Sequence, residues 1–325
     1  MKVAGCVVLA AVLALMLTGC FFGGTVMAGS YANADDYQVG SFEYRAADAQ
    51  KLAVNWYSGN VSLVRTEGDM LKVSESGEDL PSEKALHWLL KDGVLRVEFC
   101  ASGYSGHFSG QDKKLTVEIP DGMEIEVVTT SGGIQAELGK QAGVTLRTTS
   151  GAIEVNGTAE TESLRLGTTS GSIHVESVTA QDLIAKTTSG SMKMQDVTVN
   201  DGAQLESTSG GINVENLYVK NGTVTAESSS GSVRMDALRT ENLIIGTTSG
   251  SVSVGLKECK RAAVETTSGS VRVNLSQSLG ATVQTRSTSG GFNGSGYRFE
   301  DGKYVWGDGS CEVSLRTTSG SITVK

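Results

Sequence analysis

Ten copies of one short phrase constrain this chain more than anything else in it. Thr-Thr-Ser-Gly, or a close variant, recurs with its glycine at Gly132, Gly151, Gly171, Gly190, Gly210, Gly231, Gly250, Gly269, Gly290 and Gly320. The steps are 19, 20, 19, 20, 21, 19, 19, 21 and then 30 residues. A period that tight marks a repeat architecture, in which one supersecondary unit stacks on copies of itself.

The flanks of the phrase show what one unit contains. Apolar residues alternate before it, as in Val144/Leu146 and Leu243/Ile245, and after it, as in Ile153/Val155 and Ile173/Val175. A third apolar position follows, at Val178, Val197, Leu217 and Leu238. Period-two alternation rich in β-branched residues predicts half-buried strands. Ser-Gly between two such runs predicts a turn in which glycine supplies backbone angles closed to other residues. Each repeat therefore reads as strand, bend, strand and a short return. One unit cannot bury its apolar face alone, whereas a stack buries all of them in one narrow core. The predicted fold is an all-β, single-chain β-solenoid with coils of about 20 residues, ten coils spanning roughly 50 Å at ~4.8 Å each. The Thr and Ser side chains would stack along the axis and hydrogen-bond in ladders. A β-sandwich of short hairpins is the competing reading. Its turns would have no reason to share a sequence, which counts against it.

The ends differ from the middle. Lys2 followed by the apolar run Val3 to Met16 predicts a targeting segment over residues 1–19, too short to span a bilayer comfortably. Leu17-Thr18-Gly19-Cys20 looks like a bacterial lipobox, which implies cleavage before Cys20 and lipid attached to it, so that the membrane itself is a partner. Residues 20–39 read as a tether, residues 40–122 as an N-terminal β section capping the stack, and residues 123–325 as the solenoid. Within the N-terminal section, Asp92-Gly93 signals a hairpin, Glu83 to Lys91 fits a helical turn or a strand, and Ser102 to Gly110 reads as a loop. The 30-residue step holds a hairpin insertion at 292–311 with Phe292, Tyr297, Phe299, Tyr304 and Trp306. Tyr297, Phe299, Tyr304 and Trp306 are a candidate binding patch; a lid over the last coil is the favoured reading, and the final repeat then completes the stack.

Chemistry is hard to find. The formal net charge of −9 and few aromatic residues argue against nucleic acid as a partner. The outward columns are mixed in sign: Lys186, Glu206 and Arg147 in one, and His174, Lys193 and Arg234 in another. No nucleophile–base–acid arrangement, phosphate loop or metal-type Cys/His spacing is present, so neither a cofactor nor a metal is expected, and Asp182 and Glu215 are the single carboxylates that could hide a site. Beyond Cys20 the cysteines are Cys100, Cys259 and Cys311. An odd number cannot pair completely, and distant positions in a solenoid rarely meet, so buried single thiols are expected. A flat Thr array can order water, but here the Thr residues sit at a bend.

The pattern apolar-any-apolar-any-Thr-Thr-Ser-Gly-Ser-apolar-any-apolar at about 20 residues resembles the bacterial putative-adhesin β-strand-repeat family, a domain of unknown function. The likeness covers about residues 40–325, including Ser58-Gly59-Asn60-Val61-Ser62-Leu63 and the tail from Gly307 to Gly320. The resemblance implies an extracytoplasmic cell-envelope protein, mostly without known chemistry. The expected role is therefore non-enzymatic: a lipid-anchored protein with a surface-binding or structural function and a glycan, protein or peptide ligand. A regulatory protein sensing envelope stress or antimicrobial peptides is the second reading. A carbohydrate-active β-helix enzyme is the third.

Overall fold

In the computed structural model, residues 20–22, 25–76, 80–108, 113–157 and 160–325 are described. The predicted targeting segment lies outside them, and Cys20 enters only as backbone of the short strand Cys20–Phe22.

The chain forms a β-solenoid. Two parallel ladders run its length, one on each side of the Thr-Thr-Ser-Gly bend. In the first, Glu124–Thr129 pairs with Gly143–Thr148, then Glu160–Thr168, then Thr179–Thr187, each strictly in register. In the second, Ile134–Glu137 pairs with Ile153–Asn156 and then Ile173–Glu176. Register is fixed by the apolar alternation, because a one-residue slip would turn every inward side chain to solvent. Leu146, Leu166, Ile173, Val175 and Ala185 are accordingly buried. The third apolar column, Val178, Val197, Leu217, Leu238 and Leu256, closes the core on the return segment.

The ladder does not break at the bend. Ser150 N–H donates to Thr130 C=O (3.0 Å), Ser170 N–H to Thr149 C=O (2.9 Å) and Ser189 N–H to Thr169 C=O (2.9 Å). Every coil must therefore turn through the same backbone path, which is why the phrase is so nearly invariant.

Glycine is needed there for a reason other than the expected one. None of the ten phrase glycines has a positive φ. Each instead lies against the glycine of the coil below: a Cβ on Gly171 would overlap the Gly151 carbonyl oxygen, and one on Gly190 that of Gly171. The left-handed backbone sits at the other corner, at Ser177 (φ 58°), Asp196 (φ 53°), Asn216 (φ 53°) and Ala237 (φ 55°).

The hydroxyl ladder also takes a different form. The first Thr of the phrase is buried and bonds to backbone rather than to its neighbours in the column. Thr168 Oγ1 donates to Gly151 C=O (3.1 Å) and accepts from Gly171 N–H (3.0 Å). Thr148, Thr187 and Thr266 make the same two bonds on their own coils. One side chain thus ties its own turn shut and fastens it to the coil below.

Neither end of the stack follows chain order. At the N-terminal end Lys51–Trp56 pairs in parallel with both Val94–Glu98 and Glu124–Thr129, so the chain passes outward and returns to lie beneath its own first coil. Beyond that, the pairing turns antiparallel, through His87–Lys91 to Gln38–Val39 on one ladder and through Met70–Glu75 to Phe42–Arg45 on the other. Asp92 and Gly93, both left-handed, form the predicted hairpin turn, and His87–Lys91 is a strand. Ser105–His107, read as loop, is a short strand pairing with Thr25–Met27. The segment read as a tether is therefore docked for much of its length: Ala28 N–H bonds to Tyr104 C=O (2.8 Å) and Tyr31 Oη to Cys100 C=O (3.2 Å).

At the C-terminal end the final repeat does not complete the stack. Cys311–Thr317 inserts between Arg261–Thr266 and Ala281–Ser287. Ile322–Val324 does the same on the second ladder, between Val271–Leu275 and Phe292–Gly294. The glycine column runs Gly250, Gly269, Gly320, Gly290. The coil added last in sequence is thus held on both sides.

Candidate functional site

The aromatic insertion covers the outermost coil. Lys303–Trp306 pairs antiparallel with Ala281–Ser287, and Arg298–Glu300 pairs antiparallel with Lys303–Trp306. Asp301 (φ 48°) and Gly302 (φ 77°) make the tight turn between them. The antiparallel hairpin covers the outer edge at Ala281 to Val283, blunting part of the run of open backbone groups that would otherwise invite another chain.

Its aromatic side chains form one cluster. Phe292 stacks on Tyr304 with centroids 4.0 Å apart, Tyr297 meets Tyr304 edge-on at 4.9 Å, and Phe299 lies 5.1 Å from Tyr304. Trp306 is buried beneath, 5.3 Å from Tyr297, and its indole N–H donates to Ser295 C=O (2.9 Å). The hairpin is thus part lid and part free surface: Trp306 and Tyr304 do the covering, while Phe299 is 62% and Tyr297 37% exposed. Only Val39, Tyr218 and Ile244 among the other described large apolar residues are comparably open, and they are scattered singly along the chain. Two exposed aromatic rings resting on the partly buried Tyr304 and the buried Trp306 present flat apolar faces at little entropic cost.

Beside the hairpin turn runs a groove lined by Gln284, Arg286, Gly302, Ser314 and Arg316. Arg286 and Arg316 are direct register partners on adjacent strands. Both are exposed, and among the described residues neither takes part in an ion pair. Two guanidinium groups side by side suit an anionic group such as a carboxylate or sulfate; the aromatic cluster lies on the opposite face, where Tyr304 is the register partner of buried Val283. The sequence already sets the two arginines at the same position of consecutive repeats, and the final coil, although inserted, still lies beside the coil of Arg286.

The single carboxylates fall elsewhere. Asp182 stands between Ser163 and Gly202 in the ladder, with no carboxylate opposite. Glu215 lies in a shallow open groove with Lys193, Asn213, Arg234 and Asp236, where Asp236 is engaged by Arg234 at 2.7 Å. Lys186 and Glu206 pair across coils at 3.0 Å. The described residues contain no group of three or more His, Cys, Asp or Glu side chains arranged to hold a metal ion.

One buried ionic cluster escaped the sequence reading. Lys113 Nζ lies 2.6 Å from Glu75 Oε2, with both side chains almost wholly buried. It also donates to the carbonyls of Lys84 (2.6 Å) and Phe99, and sits 5.1 Å from the Trp56 ring centroid. Burial pulls the ammonium below its ordinary range, and Glu75 opposes that shift. Nothing in the local sequence marks Lys113. Its carbonyl oxygen lies against Gly59, the first member of the glycine column, so the cluster plugs the N-terminal end of the core. With its donors satisfied and no open approach, it is built for structure.

A comparison with curated proteins found no match. Two solved structures are similar in part. One is a putative cell adhesion protein from Clostridium sporogenes, 15% identical, with 89% of this chain and 99% of that chain covered and a TM-score of 0.26. The other is a putative adhesin from Bacteroides fragilis, 14% identical, with 89% and 97% covered and a TM-score of 0.40. The sequence profile of the Toastrack DUF4097 family matches residues 49–325, which takes in the N-terminal coil, every Thr-Thr-Ser-Gly repeat and the aromatic hairpin, and the chain belongs to that family.

Proposed function

We propose that this is a non-enzymatic, extracytoplasmic envelope protein that binds a surface ligand, a glycan foremost, through the C-terminal end of its solenoid. The observation that carries this reading is the exposure of the Phe299 and Tyr297 rings of the C-terminal hairpin, with the Arg286–Arg316 groove on the opposite face of the strand they cover. Aromatic faces stack on sugar rings, and arginine recognises carboxylate or sulfate groups in two-point contacts. The remaining outward columns offer mixed, exposed charge of little energetic weight. The predicted targeting segment and Cys20 support lipid anchoring to the cell membrane, with the rigid stack as the spacer that holds the binding end away from it.

The test is binding of the full chain to arrayed glycans, matrix proteins, wall fragments and cationic peptides at physiological salt. Saturable glycan binding, weakened at least tenfold by Phe299→Ala and by Arg316→Ala without loss of thermal stability, is expected. Binding that ignores both substitutions, or that occurs only with cationic peptides, would replace this reading with a regulatory one. Release of the chain from the membrane fraction by Cys20→Ser tests the anchor separately.

A further inference from the structure

The inserted final coil brings together two cysteines that the sequence keeps far apart. Arg261 and Glu312 are register partners, and Glu312 N–H donates to Lys260 C=O (2.9 Å). That register sets Cys311 opposite Lys260, so Cys259 is its diagonal neighbour at the same corner of adjacent coils. With strands ~4.8 Å apart and a rise of ~3.3 Å per residue, such neighbours lie roughly 6 Å apart, within the roughly 4.4–6.8 Å between Cα atoms that a disulfide spans. Cys259 Sγ lies 3.1 Å from Arg261 C=O, and the two thiols share a side-chain hydrogen bond. That bond pulls the Cys311 thiol below its ordinary range and, together with burial, pushes the Cys259 thiol above its own. On the neighbouring coil the position of Cys259 is held by Thr240, whose hydroxyl bonds to Gly222 C=O (3.1 Å) and Asn242 C=O (3.0 Å). Among the described residues, only this corner sets a second cysteine against the first. Cys100 is the contrast: it is buried in the other end of the stack, with its thiol pushed up to about 12 by burial.

We propose that Cys259 and Cys311 form an intramolecular disulfide that staples the inserted coil to its neighbour. The oxidant is an external disulfide, either a small-molecule one or that of a thiol–disulfide oxidoreductase. Cys259, the more exposed of the two, gives up its proton to solvent base, attacks the external disulfide as thiolate, forms a mixed disulfide and releases one external thiol. Cys311, as thiolate, then attacks the Cys259 sulfur and expels the second. Two cysteine thiols are oxidised, one external disulfide is reduced to two thiols, and the protons balance. The closed ring contains the outermost coil and the aromatic hairpin, so the staple restrains the end of the solenoid that would fray first. This inference does not depend on the proposed function.

The experiment treats the reduced, folded full chain with oxidised glutathione, blocks free thiols, digests without reduction and maps the peptides by mass spectrometry. A peptide joining Cys259 to Cys311 is expected, with Cys100 unmodified until the chain is unfolded. Closing a ring of this size raises the melting temperature by roughly 5–10 °C, a gain reversed by dithiothreitol. Cys259→Ser, which places a hydroxyl where the neighbouring coil carries that of Thr240, should retain the fold and lose both the linked peptide and the reductant-sensitive shift. Recovery of Cys259 and Cys311 as free thiols or as separate glutathione adducts would overturn the proposal, as would a link to Cys100. A linked peptide with no change in melting would overturn the stapling role.

Discussion

Thr168→Val removes one oxygen and tests what holds coil to coil. The hydroxyl of Thr168 is buried and makes two bonds, one to Gly151 C=O and one from Gly171 N–H. Valine has the same shape, so packing changes little. Two buried backbone groups are left without a partner, each at a cost of about 1–3 kcal/mol. The added methyl returns about 1 kcal/mol through burial. The net loss expected is about 3 kcal/mol, read as a lowered urea midpoint with an unchanged slope. Ser207 supplies the internal control, because its buried hydroxyl stands in the same column yet has no hydrogen-bond partner. Ser207→Ala should cost less than about 0.5 kcal/mol, since no bond is lost and an unsatisfied polar atom is removed. Native-state hydrogen exchange should localise the Thr168→Val effect to Gly171 N–H and the coils on either side. Equal losses for the two variants would show that the hydroxyl bridge contributes nothing and that side-chain shape alone holds the column.

Gly190→Ala drives a methyl group into the carbonyl of Gly171 and should cost about 3 kcal/mol or more, whereas Gly246→Ala, which meets nothing within 4 Å, should be neutral or stabilising by up to about 1 kcal/mol in the same denaturation assay. Ala237 holds the left-handed corner that Asp196 and Asn216 hold on other coils; Ala237→Asn should therefore stabilise by about 0.5–1 kcal/mol, and a loss would refute the strain assigned there. Burial pushes the carboxyl of Glu98 up from 4.5 to about 7, against the hydrogen bond from Asn55 Nδ2 (2.8 Å). Because the folded state holds this proton more tightly, stability is fully present below about pH 4.5 and falls by roughly 3 kcal/mol as the pH rises through 7. Glu98→Gln should flatten that fall, leaving the variant about 2–3 kcal/mol more stable than the parent at pH 8 in urea titrations; parallel pH profiles would count against it.

The middle of this protein is legible in its sequence, because a stacked coil repeats its own environment. Once Thr148, Thr168 and Thr187 face identical neighbours, the same residue solves the same problem each time, and the period, the inward columns and the turn position can be read directly. The physical reason for the glycine was not legible. A left-handed turn and a contact with no room for a Cβ both select glycine, and only the stacking of the coils decides that the second applies at Gly171 while left-handed backbone falls on Ser177 and Asp196. The ends were least legible, because there the contacts are not between consecutive repeats. Local pattern says that Cys311–Thr317 is one more coil, and it is; no local pattern says that it slides between two earlier ones. That choice belongs to the tertiary structure, where the inserted coil gains a parallel neighbour on each face and the aromatic hairpin covers the edge left over. It also decides the chemistry at that end, since the meeting of Cys259 with Cys311 exists only once the order of coils in space departs from their order in the chain.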